Sequence, residues 1–260
     1  MRVGGIFRKI GPFLALAAAA GLSACDDVDV SFNGEQGVPL AELDMSGEAP
    51  SRIALGGADN VVITTGEELA ITVEGSEEAT ERLRFVLADG SLGIGREDGN
   101  WRDGDVATIN VTMPAPSTIA IGGSGRMTAD TMARNAEIVI GGSGAVDVAV
   151  IDSETLEITI GGSGRATVAG AVDRLELNIG GSGTADMADL QAGDAEVNIG
   201  GSGDATFSSD GTVEANIAGS GDVRVRGSAR CEINAIGSGS LVCEDAPDDG
   251  DSTENARPAG

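Results

Sequence analysis

Residues 156–183 of this 260-residue chain read LEITIGGSGRATVAGAVDRLELNIGGSG, and this stretch decides the fold. It contains the same unit twice: an alternating apolar and polar run, the corner IGGSG, and a second alternating run. Alternation with a period of two is typical of a β-strand with one buried and one solvated face. Glycine suits the corner because a tight, stacked bend needs backbone dihedrals that other residues adopt only at a cost. Each unit is therefore predicted to be a strand, a corner and a strand.

The unit is repeated through the second half of the chain, where Gly-Ser-Gly occurs seven times at spacings of 18 to 20 residues. A unit of this length is too short for a βαβ crossover or a propeller blade. It fits one coil of a parallel β-helix, in which each strand pairs with its equivalent in the next coil. We therefore predict an all-β fold, a single-stranded parallel β-helix or solenoid with coils of about 18–20 residues. The tripeptides begin at Gly123, Gly142, Gly162, Gly181, Gly201, Gly219 and Gly237.

The first half of the body is less regular, but it is rich in strand-like segments from Arg52 to Met113. We interpret these segments as further, degenerate coils of the same solenoid with an insertion at residues 96–105, which gives about ten coils in all. The predicted β-helix domain covers residues 51–243. Residues 25–50 are predicted to be an acidic tether, and residues 244–260 a disordered acidic tail.

The N-terminus carries the pattern of a secretory signal, in which three basic residues precede an alanine-rich apolar run. The run is shorter than the roughly 20 residues that a bilayer-spanning helix needs. It ends in Leu22-Ser23-Ala24-Cys25, which resembles the lipobox of bacterial lipoproteins. The resemblance implies a signal peptide over residues 1–24 and acylation of Cys25. It also implies lipid anchoring in a bacterial cell envelope, at the periplasmic or outer-membrane face. The alternative is an ordinary secretory signal followed by a chance cysteine.

The composition excludes several classes of function. After removal of the signal the chain keeps 13 basic residues against 42 acidic ones, a net charge of −29, so nucleic acid is not an expected partner. The sequence has no histidine and no tyrosine, which excludes Ser-His-Asp and Cys-His catalysis and histidine-ligated metals. The spacing of 18 to 20 residues also does not fit the calcium-binding nonapeptide repeat. We expect no metal and no cofactor.

Three segments together resemble a known family. They are RIALGGADNVVITTGEELAITVEG at residues 52–75, LADGSLGIG at residues 87–95, and the repeated IGGSG corners. The arrangement covers about residues 45–243 and resembles the head GIN domain family, also labelled auto-transporter adhesins. The resemblance implies a right-handed parallel β-helix, often carried on a lipoprotein. It also implies a non-enzymatic adhesion or envelope-interaction scaffold. Its partners would be the membrane, through the lipid, and an unknown envelope or surface component.

One glutamate per coil recurs at the same register and should face outward in a column. Carboxylates about 4–5 Å apart repel by about 1 kcal/mol in water, which invites a cation, a cationic partner or nearby arginines. The alternative is a solvated charged face that keeps the sheet from associating. A neighbouring column of asparagines is expected to hydrogen-bond along the coil axis. The glutamates are Glu137, Glu157, Glu176, Glu196, Glu214 and Glu232, the arginines Arg134, Arg174 and Arg230, and the asparagines Asn178, Asn198, Asn216 and Asn234.

The alternative function is a carbohydrate-active β-helix enzyme that uses outward carboxylates. Asp147 and Asp186 are expected two coils apart, about 9.6 Å by the strand spacing, near the upper limit for an inverting glycosidase pair. Against this hypothesis stand the absence of lysine, histidine and tyrosine from the mature chain and the scarcity of aromatic residues, 2% of the chain, of which only Trp101 is available to stack on a sugar ring. A groove with three or more converging polar groups would favour the enzyme. A flat, ladder-like surface would favour the scaffold.

The remaining cysteines, Cys231 and Cys243, lie 12 residues apart at the last coil. Both occupy inward positions in the alternation of that coil. In an oxidising envelope compartment they could form a disulfide that staples the C-terminal coil. Two buried free thiols are the alternative.

Overall fold

The computed structural model of the chain describes residues 31–32, 35–97 and 106–244. The structure is nearly all β, with 70% strand and 4% helix, and forms a parallel β-solenoid of about seven turns. The predicted fold class is therefore confirmed. The lipobox, the signal peptide and the residues after Glu244 lie outside the described residues, so what the sequence predicts for them stays a prediction. Within the described ranges, no helix is long and apolar enough to cross a membrane.

The described residues form nineteen strands, one short α-helix and one turn of 3-10 helix. The helix, α1, is Glu77–Glu81, and the 3-10 turn is Leu40–Glu42. The strands are β1 (Ser31–Phe32), β2 (Glu35–Gln36), β3 (Arg52–Gly57), β4 (Asn60–Thr65), β5 (Ala70–Glu74), β6 (Leu83–Ala88), β7 (Ser91–Arg96), β8 (Thr108–Met113), β9 (Thr118–Gly123), β10 (Arg126–Ala129), β11 (Asn135–Gly142), β12 (Ala145–Gly162), β13 (Arg165–Gly181), β14 (Thr184–Gly201), β15 (Asp204–Ser209), β16 (Thr212–Gly219), β17 (Asp222–Arg226), β18 (Arg230–Gly237) and β19 (Ser240–Glu244).

A regular coil runs from one glycine corner to the next, and in the middle of the solenoid it is a single long strand. β12, β13 and β14 pair in parallel, so that each residue before a corner lies over its equivalent in the coil below. The inward positions of successive coils form two continuous apolar columns, and every member is buried. The columns are Ile121, Ile140, Ile160, Ile179, Ile199 and Ile217 before the corner, and Met127, Val146, Ala166, Ala185, Ala205 and Val223 after it.

The corners stack backbone on backbone, and Gly162 shows why they require glycine. Its φ is +140°, and a Cβ built there would clash with the carbonyl oxygen of Gly142 in the corner below. That oxygen accepts a hydrogen bond from the Ser163 amide at 2.9 Å, and the Gly162 oxygen in turn accepts one from the Ser182 amide at 2.8 Å. The close approach of two main chains is thus what holds one coil on the next.

The N-terminal end of the solenoid is interleaved rather than sequential. β3 lies between β7 and β9, and β4 lies between β8 and β10, all in parallel. After β3 and β4 the chain therefore forms β7 and β8 on one side of them. It then returns to form β9 and β10 on the other side. β5 and β6 pair antiparallel with β8 and β7 and close this end.

The prediction of about ten consecutive coils is wrong for this part of the chain. Residues 52–113 do form strands, as the alternation indicates, but β5 and β6 are not rungs of the parallel stack. Alternation identifies a strand and its buried face, whereas the direction and the partner of the strand depend on the turns and on packing. Helix α1 turns the chain between β5 and β6, and the Ser76 hydroxyl caps its first turn by accepting from the Ala79 amide at 3.2 Å.

Part of the predicted acidic tether contacts the solenoid. Val38 and Phe85 exchange backbone hydrogen bonds of 2.9 and 2.8 Å, and Leu40 and Leu43 pack against the hydrophobic core. Because Phe85 belongs to β6, this segment lies at the closed end of the solenoid. The stretch that could act as a free tether is therefore shorter than the sequence predicts.

A buried ion pair supports the first corner, between β3 and β4. Asp59 and Arg96 are 0% and 6% exposed, and Arg96 Nε donates to Asp59 Oδ2 at 2.6 Å while a second guanidinium nitrogen contacts Oδ1. The Ala107 amide also donates to Asp59 Oδ1, at 2.8 Å. Asp59 occupies the register position that Gly125 holds in the next corner, since Asn60 pairs with Arg126. Arg96 is the last residue of β7, so the predicted insertion at residues 96–105 is wrong for this residue.

Candidate functional site

The glutamates predicted to form a column do so. Glu137, Glu157 and Glu176 are paired one above the other, and the register continues through the three later coils. Glu137 is half-buried and the other five members are exposed. The first glutamate follows Thr118 in the stack, whose hydroxyl lies 3.2 Å from Glu137 Oε2. Glu137, Glu157, Glu176, Glu196, Glu214 and Glu232 are here called the glutamate ladder.

The charged form of the Glu157 carboxyl is disfavoured within the glutamate ladder. Partial desolvation of this exposed side chain, followed by the neighbouring charges of Glu176 and Glu137, raises the pKa of the Glu157 carboxyl above its ordinary value. One of the arginines considered as a counter-charge, Arg134, instead contacts Glu154 outside the ladder. Among the described residues, no group of three or more Cys, Asp or Glu side chains is arranged to hold a metal ion.

A continuous column of amides runs beside the glutamates. Asn198 Nδ2 donates to Asn178 Oδ1 at 3.1 Å, and Asn216 repeats the bond to Asn198 at 3.1 Å. Asn234 extends the series to the last coil at 3.2 Å. Asn198 also lies 3.3 Å from Glu196 Oε1, so the amides are coupled to the glutamate ladder. The predicted stacking of amides is thus present, and we call Asn178, Asn198, Asn216 and Asn234 the asparagine ladder.

A shallow groove of about 990 Å³ follows the asparagine ladder on the side away from the glutamates. Its floor is main chain at Gly161, Gly180 and Gly200, because the outward position before each corner carries no side chain. Ala218 continues this column, and Ile236 ends it with a side chain that is 82% exposed. The groove is not among the predicted features, although the change from glycine to alanine and then isoleucine at this one register is visible in the sequence.

The two carboxylates considered for catalysis lie two coils apart, as predicted, with Thr167 between them. Asp147 pairs with Arg126, and Asp186 lies 4.0 Å from Arg165. These side chains are substantially exposed, an arrangement typical of surface ion pairs. A second, smaller groove of about 490 Å³ lies along the same column of residues. The carboxylates therefore have arginine partners instead of converging on a common point.

Cys231 and Cys243 are joined by a disulfide with a Cα–Cα distance of 6.8 Å. Both cysteines hold the inward positions predicted for them, since Cys231 follows Val213 and Cys243 follows Val225 in the stack. Cys231 is nevertheless only half-buried and Cys243 is exposed. Among the described residues no strand pairs with the outer edges of β18 and β19, so the inward side chains of this coil are covered on one side only.

Comparison with known proteins identifies the family of the chain. The family model described as "Putative auto-transporter adhesin, head GIN domain" matches residues 49–229, more than two-thirds of the sequence. The chain belongs to this family. The match confirms the resemblance drawn from the corner motif, and it fits an adhesion or cell-envelope role. No curated protein matches the GIN-domain chain in sequence.

Solved structures share the GIN-domain fold at low sequence identity. A putative adhesin from Bacteroides fragilis superposes with a TM-score of 0.66 at 18% identity, over 76% of this chain and 93% of its own. A protein described as a putative lipid binding protein from Parabacteroides distasonis superposes with a TM-score of 0.62 at 23% identity, over 75% of this chain and 93% of its own. A putative adhesin from Parabacteroides merdae superposes with a TM-score of 0.57 at 17% identity, over 77% of this chain and 93% of its own. At these identities the likeness supports the fold alone.

Proposed function

We propose that this GIN-domain chain is a lipid-anchored, non-enzymatic scaffold of the bacterial envelope that binds an envelope or surface partner through its ladder face. The ladder face consists of the glutamate ladder, the asparagine ladder and the groove beside them. One observation carries the proposal: polar groups on this face repeat at the same register from coil to coil. A repeating surface of this kind suits an extended partner, whereas catalysis needs a few groups that converge on one reacting atom.

The carbohydrate-active enzyme is the weaker hypothesis. Asp147 and Asp186 are each engaged by an arginine, and Thr167 separates them in the column. A hydrolase of the inverting type needs one carboxyl group that holds a proton and a second that activates water. Asp147 and Asp186 instead lie on an exposed strand column, each beside an arginine, and do not converge on a common point.

The partner is expected to be neutral or cationic over most of its length. The mature chain would carry a net charge of −29, and the glutamate ladder concentrates part of that charge on the proposed binding face. Nucleic acids and other polyanions would be repelled by this field. The asparagine ladder adds amide groups that can donate and accept hydrogen bonds from a neutral chain.

Binding can be tested on glycan arrays and with isolated envelope polysaccharides. Gly180→Gln places a side chain in the groove without strain, because the nearest atom to its Cβ, the Ile160 oxygen, is 4.0 Å away. We expect this variant to lose binding, while the matched exposed variant Asp173→Gln keeps it. Release of reducing sugar by the wild type that disappears in Asp147→Ala/Asp186→Ala would instead establish the enzyme hypothesis.

The anchor is tested separately by metabolic labelling with a palmitate analogue. The wild type should be labelled and fractionate with membranes, and Cys25→Ala should be unlabelled, because the acyl groups are expected on that thiol and on the new N-terminus. Equal labelling of the two proteins would refute the lipid anchor. Separation of inner and outer membranes would then assign the face of the envelope.

A further inference from the structure

The last coil, formed by β18 and β19, is an open end of the solenoid. Among the described residues, β18 pairs only with β16 and β19 pairs only with β17, so each has a free edge of backbone donors and acceptors. The coil also exposes large apolar side chains: Ile236 is 82% exposed, Ile233 44% and Val242 41%. Three of the seven exposed large hydrophobic residues in the described part of the chain belong to these two strands.

The opposite end of the solenoid is closed. β5 and β6 cover it by antiparallel pairing with β8 and β7, and the segment around Val38 packs beside β6. Terminal units of a solenoid normally carry a cap with a polar outer face, because an uncapped end exposes core side chains and strand edges. The two ends of this molecule therefore differ, and only the C-terminal end has the properties of a contact surface.

The residues that follow β19 are poorly suited to cover this end. Residues 245–260 read DAPDDGDSTENARPAG, with five acidic residues and no Val, Ile, Leu, Met or Phe. Such a segment has no large aliphatic side chain to set against Ile236, and its prolines and glycines disfavour an added strand. A partner that covers the open end formed by β18 and β19 therefore needs a strand edge and exposed aliphatic side chains of its own.

We propose that the open end binds the open end of a second copy of this chain, through antiparallel pairing of β18 with β18 of that copy. A two-fold axis through Asn234 makes the surface self-complementary, as an isologous interface requires. The asparagine ladder then continues from one copy into the other, Asn234 beside Asn234. Glu232 faces Ile236 of the second copy, so like charges are not placed directly opposite each other.

The last coil itself is nearly neutral. Residues 230–244 carry only Arg230, Glu232 and Glu244, a net charge of −1, whereas the predicted mature chain, residues 25–260, carries −29. End-to-end pairing points the two acidic columns away from each other, and repulsion falls with distance and with screening by salt. Side-by-side contact would instead bring the two glutamate ladders together.

The pairing has a consequence for adhesion that rests on the proposed function. The described chain enters at the closed end, where Val38 contacts Phe85, so a lipid on Cys25 would hold that end toward the membrane. The open end would then lie farthest from the membrane. Two copies anchored in opposing membranes could meet there and join the two surfaces.

Cysteine cross-linking in cells that express the full chain tests the pairing. Residues on a two-fold axis of an antiparallel pair have Cα atoms about 4.5–5.5 Å apart, within the range of a disulfide. Asn234→Cys should therefore yield a covalent dimer on non-reducing gels. Asn198→Cys, two coils inside the same ladder, should remain monomeric. Adding Ile236→Glu to Asn234→Cys should reduce the dimer at least about tenfold, because it places a carboxylate opposite Glu232 of the other copy at both symmetric positions.

Several results would overturn the proposal. These are no dimer from Asn234→Cys, an equal yield from Asn198→Cys, or a cross-linked product whose mass is not that of two chains. A dimer that forms only after removal of residues 245–260 would show that the tail covers the end. Ile236→Glu replaces an exposed side chain, so its protease resistance should match the wild type. Repeating the experiment with Cys25→Ala separates the two proposals, since pairing should survive loss of the anchor.

Discussion

Gly162→Ala should lower the free energy of unfolding by about 3–4 kcal/mol, whereas Gly161→Ala, one residue earlier, should leave it unchanged or raise it by up to about 1 kcal/mol. The two glycines lie side by side at the same corner, in the middle of the solenoid. Gly162 has φ +140° and faces the carbonyl oxygen of Gly142, while the nearest atom to a Cβ on Gly161 is 4.0 Å away. Both substitutions therefore add the same methyl group, at Gly162 against a neighbouring main chain and at Gly161 with no atom closer than 4.0 Å.

The magnitude follows from the contacts at the corner. Holding alanine in a backbone region that L-residues rarely adopt costs about 1–3 kcal/mol. The clash with Gly142 also pushes two coils apart, and the hydrogen bonds from Ser163 to Gly142 and from Ser182 to Gly162, 2.9 and 2.8 Å long, contribute about 1 kcal/mol each. At about 2–4 °C per kcal/mol for a domain of this size, a fall in Tm of about 10 °C is expected.

Thermal and denaturant unfolding followed by circular dichroism measure this difference on the protein without residues 1–24. Gly161→Ala controls for the loss of a flexible glycine in the unfolded chain, which both substitutions share. Equal midpoints for the two variants would refute the reasoning. They would mean that the corner relaxes around a side chain and that close stacking of the main chains does not hold the coils in register.

Other predictions concern the ion pairs, the glutamate ladder and the disulfide. Asp59→Asn should destabilise the protein by about 3–5 kcal/mol in denaturant unfolding, because it removes the negative charge from a buried ion pair with Arg96. Asp147→Asn at the exposed pair should cost less than about 1 kcal/mol, and similar losses for both would contradict this account. Because the folded-state pKa of Glu157 lies above its ordinary value of 4.5, its contribution to stability falls as pH rises through and beyond that value. Glu157→Gln should therefore unfold at a higher temperature than the wild type at neutral pH and lose this advantage below pH 4.5; a pH-independent difference would argue against repulsion within the ladder. Cys243→Ser should increase hydrogen exchange of β18 and β19 and leave the middle coils protected, since the disulfide closes a loop confined to the last coil. Faster exchange throughout the solenoid would contradict this local role.

The repeating corner and the alternation around it were enough to predict the regular part of the molecule from sequence. A period of two assigns the buried face, and a fixed spacing between corners places equivalent residues one above another. The registers of Glu157 with Glu176 and of Asn178 with Asn198 follow directly from that spacing, as the structure confirms. The alternation does not predict the pairing of Asp147 with Arg126, because Asp147 lies over Thr128, two residues along the strand from Arg126.

The sequence by itself thus determined the parallel solenoid, its core columns and its polar ladders, because each depends only on periodicity along the chain. Tertiary structure alone decided how the two ends are finished. The antiparallel strands β5 and β6 and the interleaving of β7 between β6 and β3 depend on contacts between residues far apart in sequence. The open apolar edge at Ile236 likewise depends on tertiary structure, because within the described ranges no strand pairs with the outer edge of β18. Periodicity specifies what a coil looks like, whereas the cap and the contact surface depend on which strand edges are left without a partner.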